Sequence, residues 1–237
     1  FAAAHLAAPL MAGNTVVIKT PETSPLSGTL LGELCAEVLP PGTVNIVHGL
    51  GLPAGDALVR DPRVRRIGFT GSVPTGLAIQ RAAAESGVKH VSLELGGKNP
   101  FIVFPDADLD RVVDGAVAGM NFSWAGQSCG STSRLLLHES IHDEVVERVG
   151  ERIRKLRLGD PLDPASEMGP VNSKRQLDRV MGFIESAQSE GARLITGGRR
   201  PPGERFARGF WVEPTFYADV TPAMRVAREE VFGPIVC

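Results

Sequence analysis

In GQSCGS, residues 126 to 131, a lone cysteine stands among glycine and serine rather than in an apolar run. Small flanks leave the Cys129 sulfur reachable, and a thiolate attacks a carbonyl more readily than a hydroxyl does. The competing reading is an inert packing thiol, which normally looks like Cys35 within the amphipathic stretch LLGELCAEVL. In LELGGK, residues 93 to 98, a carboxylate ends an apolar strand just before two glycines. Such strand ends face a crevice; the competing reading pairs the Glu94 carboxylate with Lys98. Phe69-Thr70-Gly71-Ser72 closes another apolar run, with Pro74 fit for a first helical turn. The amides near Ser72 then form either an anion site or a plain helix cap. Gly49-Leu-Gly51-Leu-Pro-Ala-Gly55 invites a dinucleotide reading, yet its spacing is GxGxxxG and the turn reads as mainly structural. His138-Glu139-Ser140-Ile141-His142 is a literal HExxH, the zinc-protease pattern, which requires both imidazoles on one face of a helix. The context opposes it: LLLH reads as a strand, and Ser140 with Asp143 reads as a capping box that starts the helix after 140. His5, His48 and His90 form no cluster with these two, and no metal is expected.

The elements that must position these residues alternate. Val- and Ile-rich runs at 15 to 18, 44 to 47, 65 to 69 and 91 to 95 read as strands, with helical stretches at 25 to 38, 54 to 60 and 75 to 86 between them. Strand and helix at this pitch imply a parallel sheet with covered faces. After Gly96-Gly97, the candidate boundary, a second α/β segment has strands at 101 to 104, 134 to 137 and 210 to 217 and helices at 109 to 121, 141 to 155 and 172 to 189. Residues 1–96 and 97–237 are thus two expected domains. The first residue is not Met, Phe1 to Ala12 reads as a helix already under way, and EEVFGPIVC stops where an apolar strand has begun, so the chain reads as the middle of a longer protein.

Composition narrows the classes. Of 237 residues, 43% are hydrophobic, enough for real cores and against disorder. Lys and Arg number 25 against 27 Asp and Glu, a net charge of −2 with no basic run, which makes nucleic acid a poor partner. Three distant cysteines, odd in number, argue for a reducing compartment, with the cytoplasm the default. No apolar run reaches the roughly 18 residues of a membrane-spanning helix.

FTGS, LELGGK, GQSC and EEVFGP, in this order, resemble the aldehyde dehydrogenase superfamily, as do KTPETSPL (19 to 26), PPGTVNIVHG (40 to 49) and FPDADLD (104 to 110). The resemblance runs along the whole chain. It implies a Rossmann-like cofactor domain followed by a truncated α/β catalytic domain, and an NAD-dependent oxidation of an aldehyde to a carboxylic acid. Cys129 would form a thiohemiacetal and then a thioester, and Glu94 would activate the hydrolytic water. The oxyanion donors would be the Cys129 N–H and an Asn before Phe1, so these 237 residues alone are not expected to turn over. Branches that pass the acyl group to coenzyme A usually lack this Glu. Lys19 and Glu22 resemble the adenosine-ribose site, where a carboxylate favours NAD over NADP. Ser72 with Phe69, Thr70 and Gly71 resembles the pyrophosphate site, and Gly51 is placed near the adenine. Leu95, Glu230 and Phe232 complete the cofactor set, the last two at the nicotinamide. Substrate would pass a tunnel walled by Asn121 to Trp124, with Ser128 and Gly130 beside the cysteine; GMNFSWAGQSCGSTSR looks most like branches handling betaine-type or aromatic aldehydes. The parent protein is expected to be a homodimer or homotetramer. A protein that keeps this fold without activity is the alternative, opposed by the presence of both Cys129 and Glu94.

Overall fold

The computed structural model describes residues 2–237; Phe1, placed by the sequence pattern in the opening helix, lies outside the described residues. The chain divides into two compact units, one ending at Leu95 and one spanning Gly96–Cys237.

The first unit opens with α1 (Ala2–Met11), followed by β1 (Val16–Lys19), α2 (Leu26–Val38) and β2 (Val44–Val47). A wide turn at Gly51–Gly55 leads into α3 (Asp56–Arg60), then β3 (Arg66–Gly71), α4 (Val73–Ser86) and β4 (His90–Leu95). β1 pairs with β2 and β3 with β4, both in parallel, so each pair with its helix is a βαβ unit. Both helices start where the residues allow no strand: Pro25 precedes α2, and Ser72 with Pro74 opens α4. The buried apolar cluster here is small, comprising Val59, Ile67, Ala82 and Ala83.

The second unit contains β5 (Pro100–Val103), α5 (Leu109–Gly119), β6 (Arg134–Leu137), α6 (His142–Arg154), α7 (Lys174–Ser189), β7 (Arg193–Thr196), β8 (Thr215–Ala218), α8 (Arg225–Arg228) and β9 (Ile235–Val236). β5 and β6 are parallel, β8 and β9 are parallel, and β7 runs antiparallel to β8. Cys237 extends β9 onto β6: its N–H donates to Ser133 O at 3.0 Å, and its carbonyl accepts from Leu135 N–H at 2.7 Å. The strands therefore follow one another as β5-β6-β9-β8-β7. Asp108 caps α5 by accepting from the amides of Asp110 and Arg111, and Ser173 caps α7 by accepting from Gln176 N–H. One apolar cluster fills the unit, from Val103 through Val149, Phe183 and Tyr217 to Val236.

Three sequence expectations need correction. The strand placed at 210 to 217 is confined to Thr215–Ala218, because Pro214 ends any ladder before it. β7 was not expected; it alternates poorly because two of its residues are exposed on the last strand of the row. Ser140 does not cap α6. A 3-10 turn at Glu139–Ile141 precedes the helix, and the His138 imidazole accepts the Ser140 N–H at 3.2 Å.

Candidate active site

The loop from Gly119 to Ser133 holds Cys129 by bonding nearly everything around it. Asn121, Ala125 and Gly126 all have positive φ, and successive amide bonds run Trp124 N–H to Asn121 O, Ala125 N–H to Phe122 O and Gln127 N–H to Trp124 O. Gly126 admits no side chain: at its φ of +66° a Cβ would lie 2.2 Å from the Gly233 carbonyl oxygen. The buried Ser131 hydroxyl donates to Met120 O at 3.0 Å and ties the loop to the end of α5. Asn99, just past the Gly-Gly boundary, donates to the Cys129 carbonyl at 2.6 Å and to Ser131 O at 3.3 Å. Gly130 N–H is taken by Ser128 Oγ at 3.1 Å. Among the described residues, neither the Cys129 N–H nor its thiol has a hydrogen-bond partner. The Cys237 thiol differs: it is directed at Ser133 O and Val226 O, and burial pushes it above the usual thiol range.

Residues 230 to 232 of the EEVFGP turn are fixed in the same unit. Glu230 Oε1 accepts the Gly97 N–H at 3.2 Å, and its carboxylate fills the space a Cβ at Gly96 would occupy. Phe232 has φ +56°, a left-handed conformation that needs outside support. That support comes from one face of α7: Gln176 donates to the carbonyls of Val231 (3.1 Å) and Phe232 (2.6 Å), and Arg179 to those of Val231 (3.2 Å) and Glu230. Lys98, the suggested partner of Glu94, has a buried ammonium with no hydrogen-bond partner among the described residues, and burial pushes it below the usual lysine range.

In the first unit, Lys19, Glu22 and Gly51 come together at the carboxyl ends of β1 and β2. Lys19 Nζ donates to Thr20 O at 2.9 Å and to Glu22 Oε1 at 3.1 Å. The Glu22 carboxyl lies below the usual carboxylate range, held there by its own N–H, by the Lys19 ammonium and by the Gly51 N–H. Phe69 to Ser72 end β3, and register pairs Thr70 with Glu94 and Gly71 with Leu95. Ser72 sits at the α4 N-terminus, but its hydroxyl meets Thr75 Oγ1 at 2.9 Å rather than capping an amide. Glu94 is exposed on β4 within this unit.

Trp124 is 62% exposed and lines a cleft of about 340 Å³ with Gln127, Met168 and Asn172; Ser128 and Gly130 are not among its walls. His138 and His142 stand on different elements. The first meets Ser140 Oγ at 2.8 Å and the second Asp143 Oδ1 at 2.8 Å, so the helical context of a zinc-binding HExxH is missing. Sequence reasoning missed Asn99, Gln176 and Arg179. Only the last two left a signal, their i, i+3 spacing on one helix face.

One unit is parallel α/β with the Glu22 carboxylate beyond its strand ends, and the other presents a thiol with no hydrogen-bond partner among the described residues. The sequence pattern described as the Aldehyde dehydrogenase family matches residues 1–237, and the chain belongs to that family. It is 53% identical over 240 residues to aldehyde dehydrogenase tropH of Talaromyces stipitatus, covering 100% of this chain and 46% of that protein. It is 48% identical over 232 residues to betaine aldehyde dehydrogenase of Cereibacter sphaeroides, covering 97% and 47%. The chain thus spans about half the length of the curated relatives it matches. Among solved structures, HpcC from Thermus thermophilus superposes with a TM-score of 0.91 at 44% identity, over 94% of this chain and 44% of that one. A betaine aldehyde dehydrogenase double mutant from Staphylococcus aureus, in complex with NAD+, gives 0.94 at 38% identity, over 99% and 47%.

Proposed function

We propose that the protein containing these residues oxidises an aldehyde to a carboxylic acid with NAD, using Cys129 as nucleophile and Glu94 as general base. The observation that carries this reading is that the loop holding Cys129 engages its neighbours and leaves its thiol and N–H free. The thiolate adds to the aldehyde carbonyl, forming a C–S bond, and the free Cys129 N–H is a donor for the resulting oxyanion. When bound, NAD supplies the acceptor for the hydride lost from that carbon. Glu94 then takes a proton from water, whose oxygen attacks the thioester; the C–S bond breaks, and carboxylate and free thiol result. For the cofactor, Glu22 is the residue for the adenosine ribose, supported by Lys19 and Gly51. Phe69 to Ser72 provide amides for the pyrophosphate, Glu230 and Phe232 serve the nicotinamide end, and Leu95 belongs to the same cofactor set. A carboxylate at Glu22 accepts from a 2′-hydroxyl and repels a 2′-phosphate, which favours NAD over NADP. The relatives' names favour betaine-type aldehydes, for whose cationic head group the exposed Trp124 is suited.

The test uses the full-length protein. Cys129→Ser is expected to abolish NADH formation, whereas Glu94→Gln gives a first burst of NADH followed by slow hydrolysis. Normal steady-state turnover in Glu94→Gln would remove the general-base role, and turnover in Cys129→Ser would remove the mechanism.

A further inference from the structure

His48 lies one residue past β2, and both of its ring nitrogens are engaged. Its Nδ1 is 2.8 Å from Thr20 Oγ1 and its Nε2 is 3.2 Å from Thr29 Oγ1. The proton positions follow from the second threonine. Thr29 spends its hydroxyl proton on Pro25 O at 3.1 Å, one turn back in the helix, so it accepts from His48 Nε2–H. Nδ1 is then the acceptor for the Thr20 hydroxyl. Thr20 is 3% exposed, and its methyl group lies where a Cβ at Gly28 would fall, 2.5 Å away, so its side chain has little room to turn. The imidazole therefore joins three segments: the residue after β1, the start of α2 and the loop leaving β2.

Two of these segments adjoin the groups around Glu22. Thr20 stands between Lys19 and the Pro21-Glu22 turn, and its carbonyl takes the Lys19 ammonium that also donates to Glu22. Gly51, the weakest of the influences that lower the Glu22 carboxyl, is three residues past His48 on the same loop. Glu22 itself is exposed and cannot fix its own position by packing. We infer that His48 is a specificity-determining positioning residue: the Thr20–His48–Thr29 clamp sets where the Glu22 carboxylate stands and thereby how strongly the protein prefers NAD to NADP. This rests on the proposed ribose role of Glu22. A loose clamp leaves the carboxylate able to swing aside, which costs the hydroxyl acceptor little but removes the repulsion that rejects a phosphate.

The experiment compares kcat/KM for NAD and for NADP in the full-length protein and in Glu22→Ala, His48→Ala, His48→Gln and Thr29→Val. His48→Ala is expected to narrow the NAD to NADP ratio by about threefold or more, with the KM for aldehyde unmoved. His48→Gln, which keeps one donor and one acceptor, restores most of the ratio. Thr29→Val removes one arm of the clamp and stands in should His48→Ala not fold. It is expected to narrow the ratio less. Equal losses for both cofactors, or an unchanged ratio in His48→Ala and Thr29→Val while Glu22→Ala narrows it, overturn the inference alone. An unchanged ratio in Glu22→Ala overturns the ribose role as well.

Discussion

The two units hold their candidate sites by different means. In the second, the Cys129 loop and the 230–232 turn rest on a continuous apolar core in which Phe183, Val180 and Tyr217 are fully enclosed. In the first, the buried cluster is Val59, Ile67, Ala82 and Ala83, while Leu26, Leu30, Leu34 and Val38 form an exposed stripe along α2. Their spacing of four residues places them on one face of the helix. The groups around Glu22 are therefore held mainly by hydrogen bonds at strand ends, with Thr20 packed against Gly28. A nucleophile needs one position, which a close-packed core enforces. A ribose site needs donors and an acceptor, which loops at carboxyl strand ends supply.

The contrast is most exposed to paired truncations. Phe183→Ala is expected to cost about 3–5 kcal/mol in urea unfolding of the chain. Leu30→Ala, at a side chain 56% exposed, should stay within about 0.5 kcal/mol. Similar costs at both positions would break the comparison.

Gly126→Ala and Gly28→Ala sharpen it at the sites themselves. The first meets backbone, the Gly233 carbonyl, at a positive φ that Ala tolerates poorly, at a cost of about 1–2 kcal/mol before the clash is counted. The second meets only the Thr20 methyl. In the full-length protein Gly126→Ala is expected to lose most turnover, and Gly28→Ala to change mainly the KM for NAD. The reverse pattern would show that the cysteine loop has slack.

Arg179→Ala removes two of the four hydrogen bonds on the 230–232 carbonyls. It is expected to raise the KM for NAD by about tenfold, with partial recovery in Arg179→Lys, as read by steady-state kinetics. An unchanged KM would mean that Gln176 holds the turn alone.

The smallest expected effect is chemical. With its thiol pushed up by burial, Cys237 should alkylate more slowly than Cys129 at about pH 8 in a mass-spectrometric time course. The folded chain holds this proton more tightly than the unfolded chain. The stability it contributes is complete below the usual thiol value of 9.0 and is lost as pH rises above it. Lys98, pushed down by the same burial, works in the opposite direction as the solution becomes alkaline, so labelling rather than a denaturation midpoint is the clean measurement. Faster labelling of Cys237 would contradict the burial.

The sequence by itself determined the family, the parallel βαβ pairs and the identity of Cys129, Glu94 and Glu22 as candidates. Val- and Ile-rich runs and glycine turns are local signals, and the quoted motifs are contiguous. Most strand bounds differ from the observed ones by a residue or two, as at β1, read at 15 to 18 and found at Val16–Lys19. Only the tertiary structure decided what holds those residues. Asn99 reaches the Cys129 carbonyl across 30 positions, Arg179 the Glu230 carbonyl across 51, and His48 Thr20 across 28. None of these pairs has a sequence spacing that marks it, because a side chain bonded to a distant carbonyl or hydroxyl depends on how strands and helices pack and not on a local repeat. β7 and the His138 turn escaped for a related reason: an outer strand lacks alternation, and an imidazole that accepts an amide two residues on displaces the serine cap that composition alone favours.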